Sequence, residues 1–433
     1  MAEKIVQAKL KKTPTYVIIP FICTCLAYMT IYVGMSLVQQ SAVQLKEWFG
    51  VGDTKLSLIG TALTLALGIC ELLGASLVMK IGAKKVCMMG LAIHVVAGVL
   101  FLTKPTNFLI MILLRILQGC GAGFVSCCVM SLAIVWFPRR QRSIASGIMA
   151  CMYGLANILC TNGVTGMYLN GWEWNKVFCF WLAVVNVIVF ALFLFVYKDI
   201  EKKYGCTNID EIMEGSEFDE TATVKVYENK KFKIFDNYHD MFRSGAFWTF
   251  MIPIFLYCWV CYSLAFVLPL LLTEKGYSAE DSAAIQSLTF LGAIIGSPIG
   301  GIISDRFFKG RRALISGIGF LGCGILLATV PYAIDAGASN LTLSLLCLGA
   351  YLIMHFAAGP QWVMPNEMCT PKFGMALMGI SLILTKIGGI IGPIVSGWIS
   401  DSTGSIMPAM WVMVAVCAIF FAADVVLAKK WDL

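Results

Sequence analysis

The chain has 433 residues, 59% of them hydrophobic and 13% charged, with a mean hydropathy of +0.82 and a formal net charge of +7. A soluble domain carries roughly 25% charged residues, so these few charges cannot clothe a water-facing surface and lipid must be the solvent. The basic surplus is read as membrane topology and head-group contact, which sets nucleic acid aside as a partner.

A membrane-spanning helix needs about 20 mostly apolar residues. Twelve such runs are predicted: 16–45, 56–79, 86–102, 107–136, 143–168, 177–197, 247–272, 284–303, 313–332, 341–364, 374–399 and 408–427. The segment before the first run carries Lys4, Lys9, Lys11 and Lys12. That run is too long for a signal peptide and no small-residue cleavage site closes it, so a first span with a cytoplasmic N-terminus is expected. Charge supports this sidedness. With the N-terminus inside, the short inner loops hold Lys80, Lys84, Lys85, Arg139, Arg140, Arg142, Arg306, Lys309, Arg311, Arg312 and Lys372, against Lys46, Lys55, Lys104, Lys176 and Lys275 outside; inversion would break the positive-inside rule. The long polar segment 198–244 divides the chain. It holds eight Lys or Arg and eleven Asp or Glu. The expected organisation is 1–197 and 245–433 as two six-helix units joined by a cytoplasmic loop, with Phe232–Phe242 able to form a surface helix. Cysteines within spans are read as small apolar packing residues; neither a metal site nor a disulfide framework is expected.

Several motifs interrupt the apolar runs. Leu77-Val-Met-Lys-Ile-Gly-Ala-Lys-Lys85 follows the second run and Gly301-Ile-Ile-Ser-Asp-Arg-Phe-Phe-Lys-Gly-Arg-Arg312 the eighth. The same polar device once per half points to internal duplication. The fourth run contains Arg115-Ile-Leu-Gln-Gly-Cys-Gly-Ala-Gly123, with Arg115 and Gln118 spaced to share one face. The fifth has Asn157 and Asn162, the tenth His355-Phe-Ala-Ala-Gly-Pro-Gln361, and the eleventh Lys386-Ile-Gly-Gly-Ile-Ile-Gly-Pro-Ile-Val-Ser-Gly397. The Gly-x-Gly patterns lack a Walker sequence, which removes support for ATP-driven transport.

These motifs resemble the major facilitator superfamily over nearly the whole chain. The loop after the eighth run is similar to its G-x-x-x-D-R-x-G-R-R signature at Gly301, Asp305, Arg306, Gly310, Arg311 and Arg312, with two extra residues before Gly310. The resemblance implies that these residues gate the cytoplasmic face through charge-assisted bonds. The first-half copy has Met79 where Asp is expected, which implies unequal gating of the halves. Arg115, Gln118 and Gly119 look like the R-x-x-Q-G pattern of the fourth helix. The fifth run lacks the Gly-Pro that marks antiporters of this superfamily. The implied fold is all-α, with twelve transmembrane helices in two pseudo-symmetric six-helix bundles around a cavity, and the implied activity is alternating access rather than catalysis.

Charge within the spans bears on the substrate. Glu71, Arg115 and Lys386 are read as the full charges well inside, each costing roughly 2.5–3.5 kcal/mol at the bilayer centre. Two cations against one carboxylate leave a positive surplus that a small organic anion could balance. The expected substrate residues are Lys386, Arg115 and Gln118, with Tyr32, Tyr257 and Trp259 as cavity walls and Tyr28 and Tyr262 nearby. The resemblance implies that the second and eleventh helices are neighbours, so a Glu71–Lys386 pair that substrate breaks is expected. His355 has the titration range for proton coupling, while a simple packing role stays open; His94 is given little functional weight. No cofactor is expected. A monomer in the bilayer, in a prokaryotic plasma membrane with both termini cytoplasmic, is the expected setting. Export of amphipathic compounds and a non-transporting sensor are the competing readings.

Overall fold

The computed structural model describes residues 13–137, 139–206, 209–212, 234–308 and 311–431. Twelve helices are long and apolar enough to cross a membrane: α1 Thr15–Gln40, α2 Asp53–Ile81, α3 Ala83–Phe101, α4 Phe108–Val129, α5 Ile148–Leu169, α6 Trp174–Tyr204, α7 Gly245–Glu274, α8 Ala279–Ser304, α9 Arg312–Asp335, α10 Asn340–Pro365, α11 Leu377–Thr403 and α12 Met407–Trp431. Each overlaps the run expected for it. Where the first run was expected to reach residue 45, α1 stops at Gln40 and a separate short helix, Ala42–Phe49, follows and ends on left-handed Gly50. Ser244, Ser278 and Ser339 cap α7, α8 and α10 by accepting from the amides of Ala246, Asp281 and Thr342, satisfying donors that the first helical turn leaves unpaired.

The helices pack in a pattern that is used twice. In the first six, α2 packs on α4, α1 on α5, and α3 on α4 and α6; in the last six, α8 packs on α10, α7 on α11, and α9 on α12. Between the two groups the extensive contacts are α5 with α8 and α2 with α11. That pair of contacts is what a two-fold relation between the groups requires.

Glycine sets how closely the helices approach. Gly292, Gly296 and Gly300 are four apart on α8, and a Cβ on any of them would strike the backbone of α10 at Leu348, Leu352 or Phe356. Gly119 and Gly123 of α4 stand equally close to Leu63 and Leu67 of α2. In lipid, where apolar burial between helices offers little, such backbone proximity supplies the dispersion contact. Gly388, Gly389 and Gly392 of α11 likewise lie against Phe255, Tyr262 and Trp259 of α7, so the glycine-rich eleventh run is a packing face.

The end of the linker is anchored in the protein. Phe235 donates to Met368 O at 2.9 Å and accepts from Thr370 N at 2.9 Å. Phe235 and Met241 are buried, and Tyr238–Arg243 forms one and a half turns with Tyr238 and Phe242 exposed. The expected surface helix therefore covers only the later part of Phe232–Phe242, since its earlier part lies outside the described residues or is pinned to the α10–α11 loop.

The α8–α10 contact makes a measurable prediction. Gly296→Val, facing the Leu352 backbone, should lower unfolding stability by about 1–3 kcal/mol through overpacking. Gly301→Ala, with no neighbouring atom within 4 Å, should change it little. Thermal unfolding of the purified protein in detergent compares the two.

Candidate functional site

Helix ends give a depth scale, at about 1.5 Å per residue. One face carries Lys80, Lys84, Arg306, Arg311, Arg312 and Lys429 and is called the basic face; the other, where α1 ends and α2 begins, is the far face. Lys386 lies 17 residues from the far end of α11, about 25 Å deep, and Glu71 is 18 residues into α2, at a similar depth. Arg115 is only seven residues into α4, about 10 Å deep. Lys386 and Arg115 are therefore separated by about 15 Å of depth alone. In the described state these two expected substrate residues lie at different levels; residue count along a helix, not hydropathy, decides it.

Arg115 is fully buried. Its Nε donates to Ile59 O at 3.1 Å, and its Nη1 donates to Gly34 O at 3.0 Å and Gln118 Oε1 at 2.5 Å. The guanidinium thus ties α4 to α1 and α2. Arg115 Nη2 and Gln118 Nε2 are buried donors without a protein acceptor, leaving hydrogen-bonding capacity for water or a ligand oxygen. His94 has both ring nitrogens engaged, with Asn186 and with Gln118 O, and serves packing among α3, α4 and α6.

A tyrosine cluster occupies mid-membrane and crosses between the two groups of helices. Tyr32 donates to the Tyr28 hydroxyl at 2.7 Å within α1. The Tyr32 ring meets Tyr153 of α5 edge-on at 5.0 Å. The Tyr153 and Tyr351 hydroxyls are 2.8 Å apart across the seam. His355 stacks on Tyr153 at 6.2 Å, and its ring lies 4.6 Å from Tyr351 and 6.3 Å from Tyr257. His355 Nδ1 lies 2.8 Å from Tyr351 O, a bond only the Nδ1–H tautomer can donate. Nε2 is thereby left as an acceptor with no partner among the described residues, one edge of the ring still available. The helix is a 3₁₀ turn at His355–Ala357, and such a break inside a long helix frequently marks a hinge.

Lys386 adjoins this cluster. Its aliphatic stem lies against Gly68 of α2, its charge reaches Cys258 of α7, and it forms no ion pair among the described residues. Glu71 instead accepts from Ser126 Oγ at 2.7 Å. The expected Glu71–Lys386 pair is thus open in this structure although the two helices are neighbours. Trp259 backs onto Gly392 of α11 and its ring contacts Phe255 at 5.6 Å, so it lies on the α7–α11 contact. Tyr153 and Tyr351 were not singled out by sequence. Their signal was available: a tyrosine at mid-span needs a hydroxyl partner within the protein.

The far end of the seam is closed by polar bonds. Asp401 of α11 accepts from the Asp53 and Thr54 amides at 2.8 and 2.9 Å, capping the first turn of α2 from the other group. Ser400 donates to Asp53 at 2.6 Å, and Lys46 pairs with Asp53 at 2.7 Å. Gln40 donates to Gln286 at 2.9 Å and Asn162 to Ser287 at 2.7 Å. Beneath them, Gln286, Thr289, Phe290, Tyr351 and Leu264 line a hollow with room for about one water.

At the basic face, Arg312 pairs with Glu367 at 2.6 Å and reaches Ser304 at 3.4 Å. This joins α8, α9 and the end of α10 within the last six helices. Arg306 and Arg311 are exposed, and the Gly301 Cα lies 3.5 Å from where a Cβ of Gly359 would stand. The Asp305 side chain and residues Lys309 and Gly310 lie outside the described residues, as do the side chains of Arg139, Arg140, Arg142 and Lys372. In the first-half copy, Met79 is 84% exposed and Lys84 donates to Tyr197 O at 2.7 Å, so this loop binds backbone rather than a carboxylate. The count of intramembrane charges also needs correction. Asp424 of α12 is fully buried; three residues from the expected end of its run and five from Lys429, it reads in sequence as part of the basic boundary.

Comparison with known proteins agrees with this geometry. The family described as Major Facilitator Superfamily matches residues 21–373. A probable sulfoacetate transporter from Cupriavidus necator is 24% identical over 393 residues, covering 88% of this chain and 86% of its own. A hexuronate transporter from Bacillus subtilis is 21% identical, covering 86% of each. The crystal structure of a D-xylose–proton symporter shares the fold, with a TM-score of 0.74 at 12% identity over 96% of this chain and 98% of its own.

The far-face closure can be tested directly. Asp401→Ala removes the shared cap of α2, and labelling of Ser287→Cys by a membrane-impermeant maleimide should then rise several-fold. Unchanged labelling would mean that the remaining bonds suffice to hold the face shut.

Proposed function

For a chain that belongs to the Major Facilitator Superfamily, a membrane transporter and not an enzyme, we propose secondary transport of a small organic anion, a carboxylate or sulfonate, by alternating access. The observation that carries this reading is Lys386, a mid-membrane cation with no ion-pair partner, next to a seam walled by Tyr28, Tyr32, Tyr153, Tyr257 and Tyr262. A half-buried ammonium group at mid-membrane without a counter-charge among the described residues is costly, and an arriving anion relieves that cost. The tyrosine hydroxyls supply donors for its oxygens and the rings exclude water. Similarity to carriers named for sulfoacetate and hexuronate points to the same ligand chemistry.

Alternating access is supported by where the seam is bonded. Between described residues, cross-group hydrogen bonds run from Cys151–Ile294 and Tyr153–Tyr351 near mid-membrane outward to Asp401–Asp53. By the charge asymmetry the basic face is cytoplasmic, so the described state has its outer end shut. In the cycle, Glu71, which the described state bonds to Ser126, pairs with Lys386 at the stage that returns without substrate and yields it to the anion. Arg115 and Gln118 hold α1 and α2 to α4 about 15 Å nearer the outer face, and their spare donors meet substrate only on the way through. His355 is the proton-coupling group, because its free Nε2 edges the tyrosine cluster at the break in α10. A prokaryotic plasma membrane with cytoplasmic termini remains the setting this reading takes.

Reconstitution in liposomes with labelled sulfoacetate, a hexuronate and a panel of mono- and dicarboxylates, with and without a pH gradient, tests the reading. Lys386→Gln should raise the apparent KM about tenfold or more, the loss of one charge-assisted hydrogen bond; undiminished uptake removes Lys386 from the site. Competition by hydrophobic cations would favour an exporter of amphipathic compounds instead.

His355→Gln should keep exchange of substrate down its gradient and lose accumulation driven by a pH gradient. Retained pH-driven accumulation would make His355 a packing residue.

A further inference from the structure

We infer that Asp424, with Gln361 and Ser316, forms a proton-binding site inside the last six helices, protonated in the state described. The carboxyl lies in α12, seven residues from the end of the helix, with no exposed surface. Its Oδ2 is 3.5 Å from Gln361 Nε2, which gives its better hydrogen bond, 2.8 Å, to Ser316 Oγ. Asp424 Oδ1 and Gln361 Oε1 are both buried acceptors without a donor. The two side chains approach each other through Asp424 Oδ2 and Gln361 Nε2, and each still lacks a donor. A proton on Asp424 turns an acceptor into a donor and removes the charge that this site has no means to solvate.

Among the described residues the neighbours of Asp424 offer no counter-charge. On α9 it faces Ser316 and the backbone at Gly317; one turn toward the basic face stands Arg312, already joined to Glu367 of α10. On α10 it faces Gln361. The nearby part of α7 presents Phe247, Phe250, Met251 and Ile254, and between Gly245 and Glu274 that helix contains no Asp, Glu, Lys, Arg or His. Lys386 of α11 makes no ion pair with it, and Lys429 and Lys430 lie beyond it toward the helix end.

The place of the site suggests what the proton does. Gln361 is one turn past the 3₁₀ break at His355–Ala357, and Ser316 is one turn above the Arg312–Glu367 pair. An ionised Asp424 needs a counter-charge, and Arg312 is the cation that α9 carries one turn from Ser316. Deprotonation therefore sets Asp424 in competition with Glu367 and loosens the joint of α9, α10 and α12 beside the break. Only this consequence rests on the transport reading; the protonation itself does not.

Infrared difference spectroscopy of the full chain in lipid nanodiscs, between acidic and alkaline pH, tests the site without any substrate. A protonated-carboxyl C=O band present at neutral pH should vanish in Asp424→Asn. It should move to higher wavenumber in Gln361→Leu, which strips the acid of its amide partner; either variant alone decides the matter if the other does not fold. Persistence of the band in Asp424→Asn, or an unmoved band in Gln361→Leu, overturns the inference. Stability provides a second readout. The folded chain retains a proton that the unfolded chain releases, so wild type should lose thermal stability relative to Asp424→Asn as pH rises from acid to alkaline. Parallel curves overturn the inference. Neither outcome changes if the panel yields no transported anion.

Discussion

Hydrocarbon offers no hydrogen bonds, and the architecture follows from that. Each polar group in the spans must find its partner inside the protein. Backbone groups are satisfied by helix formation. Side chains are satisfied by facing another helix, which gathers many of them into clusters, among them the guanidinium of Arg115 with the carbonyls of α1 and α2, the tyrosine and histidine cluster at the seam, and the carboxylates Asp53 and Asp401 at the far end. The lipid-facing surface keeps the exposed leucines, isoleucines and valines.

Two kinds of helix contact divide the work. Within each group, glycines allow backbone to meet backbone, as where Gly296 meets Leu352 or Gly119 meets Leu63. Such contacts involve many atoms at fixed distance and behave as rigid joints. Between the groups, Gly397 and Gly154 also approach the backbone at Asp53 and Phe290, but several further contacts are side-chain hydrogen bonds, Gln40–Gln286, Asn162–Ser287 and Tyr153–Tyr351. These can be exchanged for water or substrate at little net cost. Stiff bundles joined by an exchangeable seam are what rocking about a mid-membrane site requires.

The groups suited to report on protons and anions lie where this division is weakest. The α10 helix is interrupted at His355, inside the cluster that bonds the seam. The same helix carries Gln361, which contacts Asp424, and its helical turn runs on past Pro365 to Glu367, which pairs with Arg312. One interrupted helix thus touches the seam at its middle and the basic-face joint at its end, so a change in charge at either place acts on the same mechanical element.

Much of this was present in the sequence, because lipid solvation and helix formation are local. Twelve apolar runs mark twelve helices, the repeated polar loop marks duplication, and Lys386 stands out as a charge in an apolar run wherever that run folds. Contacts between runs are not local, and sequence left them open. Tyr153 and Tyr351 are 198 residues apart and Asp401 and Asp53 are 348 apart; no periodicity records that they meet. Depth misled in two cases: Arg115 and Lys386 look equivalent as buried cations yet sit at different levels, and Asp424 looks like a boundary residue yet is sealed. Hydropathy determined which segments enter the membrane. Only the tertiary structure decided which side of each helix faces which neighbour and at what height, because those are set by backbone approach at glycines and by the pairing of polar groups that lipid refuses to solvate.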